Sequence, residues 1–150
     1  MIRSLVFVAL LAFVGAANAG DGLITKSSQY SVSETVDRLE GILKKKGITI
    51  FARVQHDKGA KGVGLALRPT ELLIFGNPKL GTPLMQSNQL VGIDLPMKAI
   101  VYKDDGGKVW LSYNAPSYMA GRHGISDKSK VVKKMTGALN KFTNIATGNK

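Results

Sequence analysis

The sequence predicts an α+β fold, a single β-α-β(4)-α domain with an antiparallel sheet and helices packed on one face. Three observations predict it. Apolar residues recur at helical spacing in two long segments, residues 32–43 and 132–146. Short apolar or alternating stretches lie ahead of the first segment and between the two, at 22–28, 48–55, 71–75, 98–103 and 108–113. Asp104-Asp105-Gly106-Gly107 joins the last two as a tight hairpin, which requires antiparallel pairing. Strand, helix, four strands and helix in that order suit helices that cover one sheet face.

Each element has its own signal. Residues 22–28 read as a first strand. Ser31 and Glu34 form an S-x-x-E capping box, and Val32, Val36, Leu39 and Leu43 then make one apolar helix face. Lys44, Lys45 and Lys46 favour the negative end of that helix, and Gly47 stops it. Ile48, Ile50, Ala52 and Val54 alternate with Thr49, Arg53 and Gln55, which predicts a strand with those four on its buried face. The glycines at 59, 62 and 64 match no phosphate or dinucleotide loop and read as a loop or weak helical turn. Thr82 before Pro83 reads as an N-cap with proline at the first helical position. Ser126 reads as the N-cap of the last helix, whose inner face is Val132, Met135, Leu139, Phe142 and Ala146.

Ahead of the domain, Arg3, an apolar run from Leu5 to Val14 and Ala17-Asn18-Ala19 have the order of a secretory signal peptide. Its apolar run of about ten residues is short of the roughly 20 that span a bilayer. The expected division is a leader at 1–19 cut between Ala19 and Gly20, an N-terminal segment with the first strand at 20–28, and the main domain at 29–148. The mature protein is then periplasmic or secreted, with no transmembrane segment.

Removing the leader leaves 131 of the 150 residues, enough for one domain with its own core. There is no cysteine, which excludes thiol redox chemistry, thiolate metal sites and a cysteine-linked lipid anchor. Twenty-one Lys and Arg against ten Asp and Glu give a net charge of +11, or +10 once Arg3 is removed. The lysines are spread rather than gathered in a groove-reading stripe, so nucleic acid is not an expected partner. Weak contact with an anionic surface fits the charge.

The unusual residues gather in three runs. The first is Phe75-Gly76-Asn77-Pro78-Lys79-Leu80-Gly81-Thr82-Pro83-Leu84-Met85. The second is Asp94-Leu95-Pro96, and the third extends from Ser112-Tyr113-Asn114 to Arg122-His123. With Leu67-Arg68-Pro69-Thr70, these runs resemble the family known as Domain of Unknown Function 302 over about residues 29–142. The resemblance implies a β-α-β(4)-α domain, a homodimer and no assigned activity. The sequence departs from the family's pattern at Gln55 and Ala115, where relatives often carry an acidic residue.

Ligand-binding candidates from these runs are Asn77, Lys79, Thr82, Met85, Asp94, Tyr113, Tyr118, Arg122 and His123. Phe75, Met85, Trp110, Tyr113 and Tyr118 are candidates for the wall of an apolar pocket. The favoured reading is a homodimeric module that binds an unknown small molecule or a partner. The alternative is an enzyme for a small organic substrate, with Asp94, Tyr113, Tyr118 and His123 as acid–base groups. A third is a copper-binding accessory protein, in which Met119, His123 and His56 supply soft and imidazole ligands. No cofactor is predicted.

Overall fold

The computed structural model describes residues 22–149. The leader at 1–19 and the junction of Ala19 and Gly20 lie outside the described residues. Five strands form a single sheet: β1 (Leu23–Ser28), β2 (Thr49–Gln55), β3 (Thr70–Gly76), β4 (Met97–Lys103) and β5 (Val109–Asn114). Their order is β1-β5-β4-β3-β2, and every neighbouring pair is antiparallel. Five α-helices are α1 (Val32–Lys45), α2 (His56–Gly62), α3 (Pro78–Ser87), α4 (Pro116–Arg122) and α5 (Ser129–Thr147). A 3₁₀ turn, Gln89–Ile93, follows α3. The α+β class and the helices on one face agree with the sequence reading.

Helix α1 forms where its caps predict. Ser31 Oγ accepts the Glu34 N–H at 3.2 Å, and Gly47 leaves the helix at φ +66°, a conformation that favours glycine. Val32, Thr35, Val36, Leu39 and Leu43 are its buried face. The four apolar ones meet Leu73 and Phe75 of β3, Ala99 and Val101 of β4, and Leu111 of β5 in one core. Each fully buried leucine or valine contributes about 1.5–3 kcal/mol. Helix α5 packs beside α1 on the same face. Arg38 of α1 donates to the Ala146 and Ile145 carbonyls at 3.1 Å each, in the last turn of α5. Lys26 of β1 donates to Asn140, Thr143 and Asn144 of α5. Burial lowers its pKa.

Strand β2 differs from simple alternation. Ile50 pairs with Phe75 and Ala52 with Ile74, so Phe51 is an extra residue, a β-bulge. The bulge shifts the face by one residue. Arg53 now points to the helices, where it bonds Glu71 at 2.6 Å and Asp37 of α1, and Ser33 Oγ at 3.1 Å. Burial alone would lower the Arg53 pKa, but the bonds to Glu71 and Asp37 outweigh it and raise the pKa. Val54, expected inside, lies on the opposite face and is 36% exposed.

Three other expectations are corrected. Residues 56–62, expected as a loop or weak helical turn, form a regular seven-residue helix, α2, although it buries no residue. Helix α3 begins at Pro78, not Pro83: Asn77 is the N-cap, and its Oδ1 accepts the Lys79 N–H at 2.9 Å. Pro83 therefore sits inside the helix, and the Thr82 side chain caps nothing there. Helix α5 starts at Ser129 after Lys128. Ser126 does not cap it, because Asp127 is drawn instead to Ser87 Oγ at 2.5 Å and Lys128 Nζ at 2.7 Å.

Candidate functional site

Where β3 leaves the sheet, the turn into α3 opens a cavity of about 250 Å³. Its floor is Phe75 and Met97 on the helix-facing side of the sheet. Leu80, Gly81 and Met85 of α3 form one wall, with Leu95 and Pro96 beside them. The opposite wall is Met135, Ala138, Leu139 and Phe142 of α5, closed below by Leu43 and Ile48. The i, i+3, i+4, i+7 spacing of the α5 residues is what brings them to one wall.

Phe51 stands at the rim, 57% exposed. The bulge in β2 aims it there, since regular alternation would send the ring to the open sheet face. Gly76 makes room for it: a Cβ at this position would lie 3.3 Å from the Phe51 ring and 3.4 Å from Pro96 Cβ. Among the lining residues only Asn77 and Thr82 carry polar side chains, and none is charged. Asn77 Oδ1 is engaged as the α3 cap, which leaves the Thr82 hydroxyl as the polar group with the fewest commitments. Chemically, such a space suits uncharged apolar groups rather than charged ones, because a charge placed here would lose its hydration with no partner.

A polar cluster lies immediately next to this space. Asp94 ends the 3₁₀ turn and precedes the lining residues Leu95 and Pro96. One of its oxygens is 2.6 Å from His123 Nε2, and the other accepts from Arg122 at 3.0 Å. The Asp94 and His123 side chains are each 9% exposed. Asn88 locks the pair from the other side, donating to the His123 carbonyl at 2.9 Å. Lys98 donates to the Asp94 and Pro96 carbonyls at 3.3 and 3.0 Å. Two of the three runs therefore meet at the cavity, and the second and third meet at Asp94. His123 and Arg122 buttress a wall; they do not line the space.

The remaining candidates lie elsewhere. Lys79 is exposed on α3 and is not part of the lining. Tyr113 is buried on the helix side of β5 and bonded to Thr143; burial raises its pKa, an effect that the Thr143 bond partly offsets. Tyr118 lies across Gly22, whose added Cβ would fall 2.2 Å from the ring. Trp110 belongs to the opposite sheet face, where its Nε1 donates to Asp104 Oδ2 at 2.7 Å. Of the five predicted wall residues only Phe75 and Met85 line the cavity.

The proposed acid–base set is thus divided, with Asp94 and His123 in contact and each tyrosine packed into its own site. The copper set is divided as well: Met119 is core at 1% exposure, His123 holds Asp94, and His56 is exposed at the start of α2. Sequence reading missed Phe51, Met97, Met135 and Phe142 as lining residues. Met135 and Phe142 were legible as an inner helix face, but not that a hollow faces them.

The chain is similar to a crystallised uncharacterised conserved DUF302 protein from Bacillus stearothermophilus, at 22% identity and a TM-score of 0.67, covering 85% of this chain and 97% of that one. That likeness shows the shared fold. Two curated relatives are the Fluoride-specific ion channel FluC 1 of Brucella suis biovar 1 (strain 1330) and the Fluoride-specific ion channel FluC 2 of Brucella melitensis biotype 1 (strain ATCC 23456 / CCUG 17765 / NCTC 10094 / 16M). Each is 45% identical over 128 residues, 85% of this chain, which make up 50% of the first relative and 47% of the second. The chain thus spans about half the length of the curated relatives it matches. A family model matches residues 24–142, and the chain belongs to the family described as Domain of unknown function DUF302.

Proposed function

We propose that this protein is an exported binding module whose ligand is small, uncharged and largely apolar. The observation that carries the reading is the cavity between α3 and α5, walled by apolar side chains and free of charged ones. An apolar cavity of about 150 Å³ stays dry and accepts benzene, so about 250 Å³ suits roughly ten non-hydrogen atoms. Met85, Met97 and Met135 give the wall adaptable surfaces that make favourable contacts with aromatic rings. Titration with naphthalene, a neutral apolar fluorophore of ten non-hydrogen atoms, tests it. The expected result is saturable fluorescence enhancement, weakened about tenfold or more by Ala138→Phe, which fills the space. Unchanged affinity in that variant, with its fold retained, would contradict the reading.

The module is proposed to act as a homodimer. Support comes from the arm formed by α2 and residues 63–69, where Val63, Leu65 and Leu67 are 74%, 66% and 49% exposed and nothing among the described residues covers them. Light scattering should report a dimer that Leu65→Asp converts to a monomer; a wild-type monomer contradicts it.

A second reading rests on the 45% identity to half of each curated relative. In it, the domain serves beside an ion channel. No helix among the described residues is long and apolar enough to cross a membrane, so the role would be accessory. Deleting the coding sequence should then alter tolerance to fluoride, and unchanged tolerance argues against it.

A further inference from the structure

Among the described residues, Leu90 and Ile93 are the most exposed large apolar side chains outside the arm, at 72% and 73%. Both belong to the 3₁₀ turn, where residues three apart eclipse one another, so the two project side by side. The turn beneath them is firmly seated. Val91, between them, is fully buried. Asn88 Oδ1 caps the Leu90 N–H at 3.0 Å, and Asn88 Nδ2 holds the His123 carbonyl. Gly92 lies against the cavity residue Met85, whose sulfur would be 3.6 Å from an added Cβ.

The surroundings are basic. Through Asn88 the turn is tied to α4, whose Arg122 is half exposed. Through the Ser87–Asp127 bond it is tied to the start of α5, which carries Lys128, Lys130, Lys133 and Lys134. The two acids nearby, Asp94 and Asp127, are each paired with a neighbouring cation. Two rigidly held apolar side chains are too little surface for a stable protein contact, which needs roughly 800 Å² per partner. A pair of protruding aliphatic residues on a turn bonded to the Arg122 end of α4 and to the lysine-bearing start of α5 has instead the two signals of interfacial binding, apolar insertion and attraction to anionic head groups.

We infer that the Leu90–Ile93 turn docks this protein onto an anionic lipid surface. The surface stands apart from the cavity reading, since either can hold without the other.

Vesicle co-sedimentation tests it, with protein produced from the whole coding sequence. Phosphatidylcholine vesicles are compared with vesicles in which a third of the lipid is phosphatidylglycerol. Expected is binding to the anionic vesicles about tenfold stronger than to phosphatidylcholine alone, and weaker at high salt. The double variant Leu90→Ser/Ile93→Ser should lose about tenfold on anionic vesicles, while Ile145→Ser, at the far end of α5, binds as wild type. Circular dichroism checks that the double variant is folded; if it is not, Leu90→Gln alone replaces it and must bind severalfold more weakly. Absent wild-type binding, equal binding to both vesicles, or an unaffected variant overturns the inference. So does a change in the variant's oligomeric mass without lipid, because the turn would then be a contact between copies.

Discussion

At the scale of single residues, Asp104 shows how one side chain can hold a turn and a strand together. Its Oδ1 accepts the Lys108 N–H at 2.8 Å and its Oδ2 accepts the indole N–H of Trp110 at 2.7 Å. These bonds, the Trp110 bond first, lower its pKa below the ordinary value. A carboxylate with a lowered folded-state pKa stabilises the fold above its unfolded pKa, and that contribution fades as pH falls through the folded value. Asp104→Ala should therefore lower the melting temperature at neutral pH and leave it nearly unchanged in strong acid. Equal losses at both pH values would show that the carboxylate charge is not what matters. The sequence identified Asp104 as a turn residue. Its reach to Trp110 was not legible, because a residue type does not state which of its lone pairs a neighbour will fill.

At the scale of elements, each misread one lost a local signal to a competing one, either local or tertiary. Thr82-Pro83 carries a good helix-start signal, yet Asn77-Pro78 carries the same signal five residues earlier and starts the helix there. Ser126 yields to the Ser87–Asp127–Lys128 links that bind α3 to the start of α5. In β2 the alternation was read without a bulge, which places Ala52 and Val54 on the wrong face and hides Phe51 from view. Helix α1 was legible in full because its caps and its periodicity agree. The bulge also frames a prediction about the cavity rim. Gly76→Ala brings a methyl group within 3.3 Å of the Phe51 ring. The exposed ring can swing aside, so the cost in stability should be small, about 1 kcal/mol, measurable by denaturant unfolding. A loss several times larger would mean that Phe51 is fixed in place rather than a movable rim.

At the scale of the whole molecule, the fold class was legible because strand and helix periods alternate cleanly and the hairpin sets the pairing direction. The candidate site was legible in part: the first and second runs meet at the cavity, and the third reaches only Asp94, through Arg122 and His123. Its chemistry was not. Polar residues drew most of the attention in the sequence, and in the structure most of them cap helices or pair with one another, while the cavity is walled by Phe75 and Met85, which were pocket candidates, by Met135 and Phe142, which were read as an inner helix face, and by Phe51 and Met97, which were not singled out. Periodicity tells which side chains point inward but not whether they meet. The proposed function therefore depends on that space accepting a molecule. The measurement that tests this most directly is NMR of protein with isotope-labelled methionine methyl groups, titrated with naphthalene. Met85, Met97 and Met135 line the cavity, and Met119 is buried in the core and outside the lining. The account predicts saturable shifts at the first three methyls and none at Met119. Shifts at no methionine, or equal shifts at all four, would contradict it.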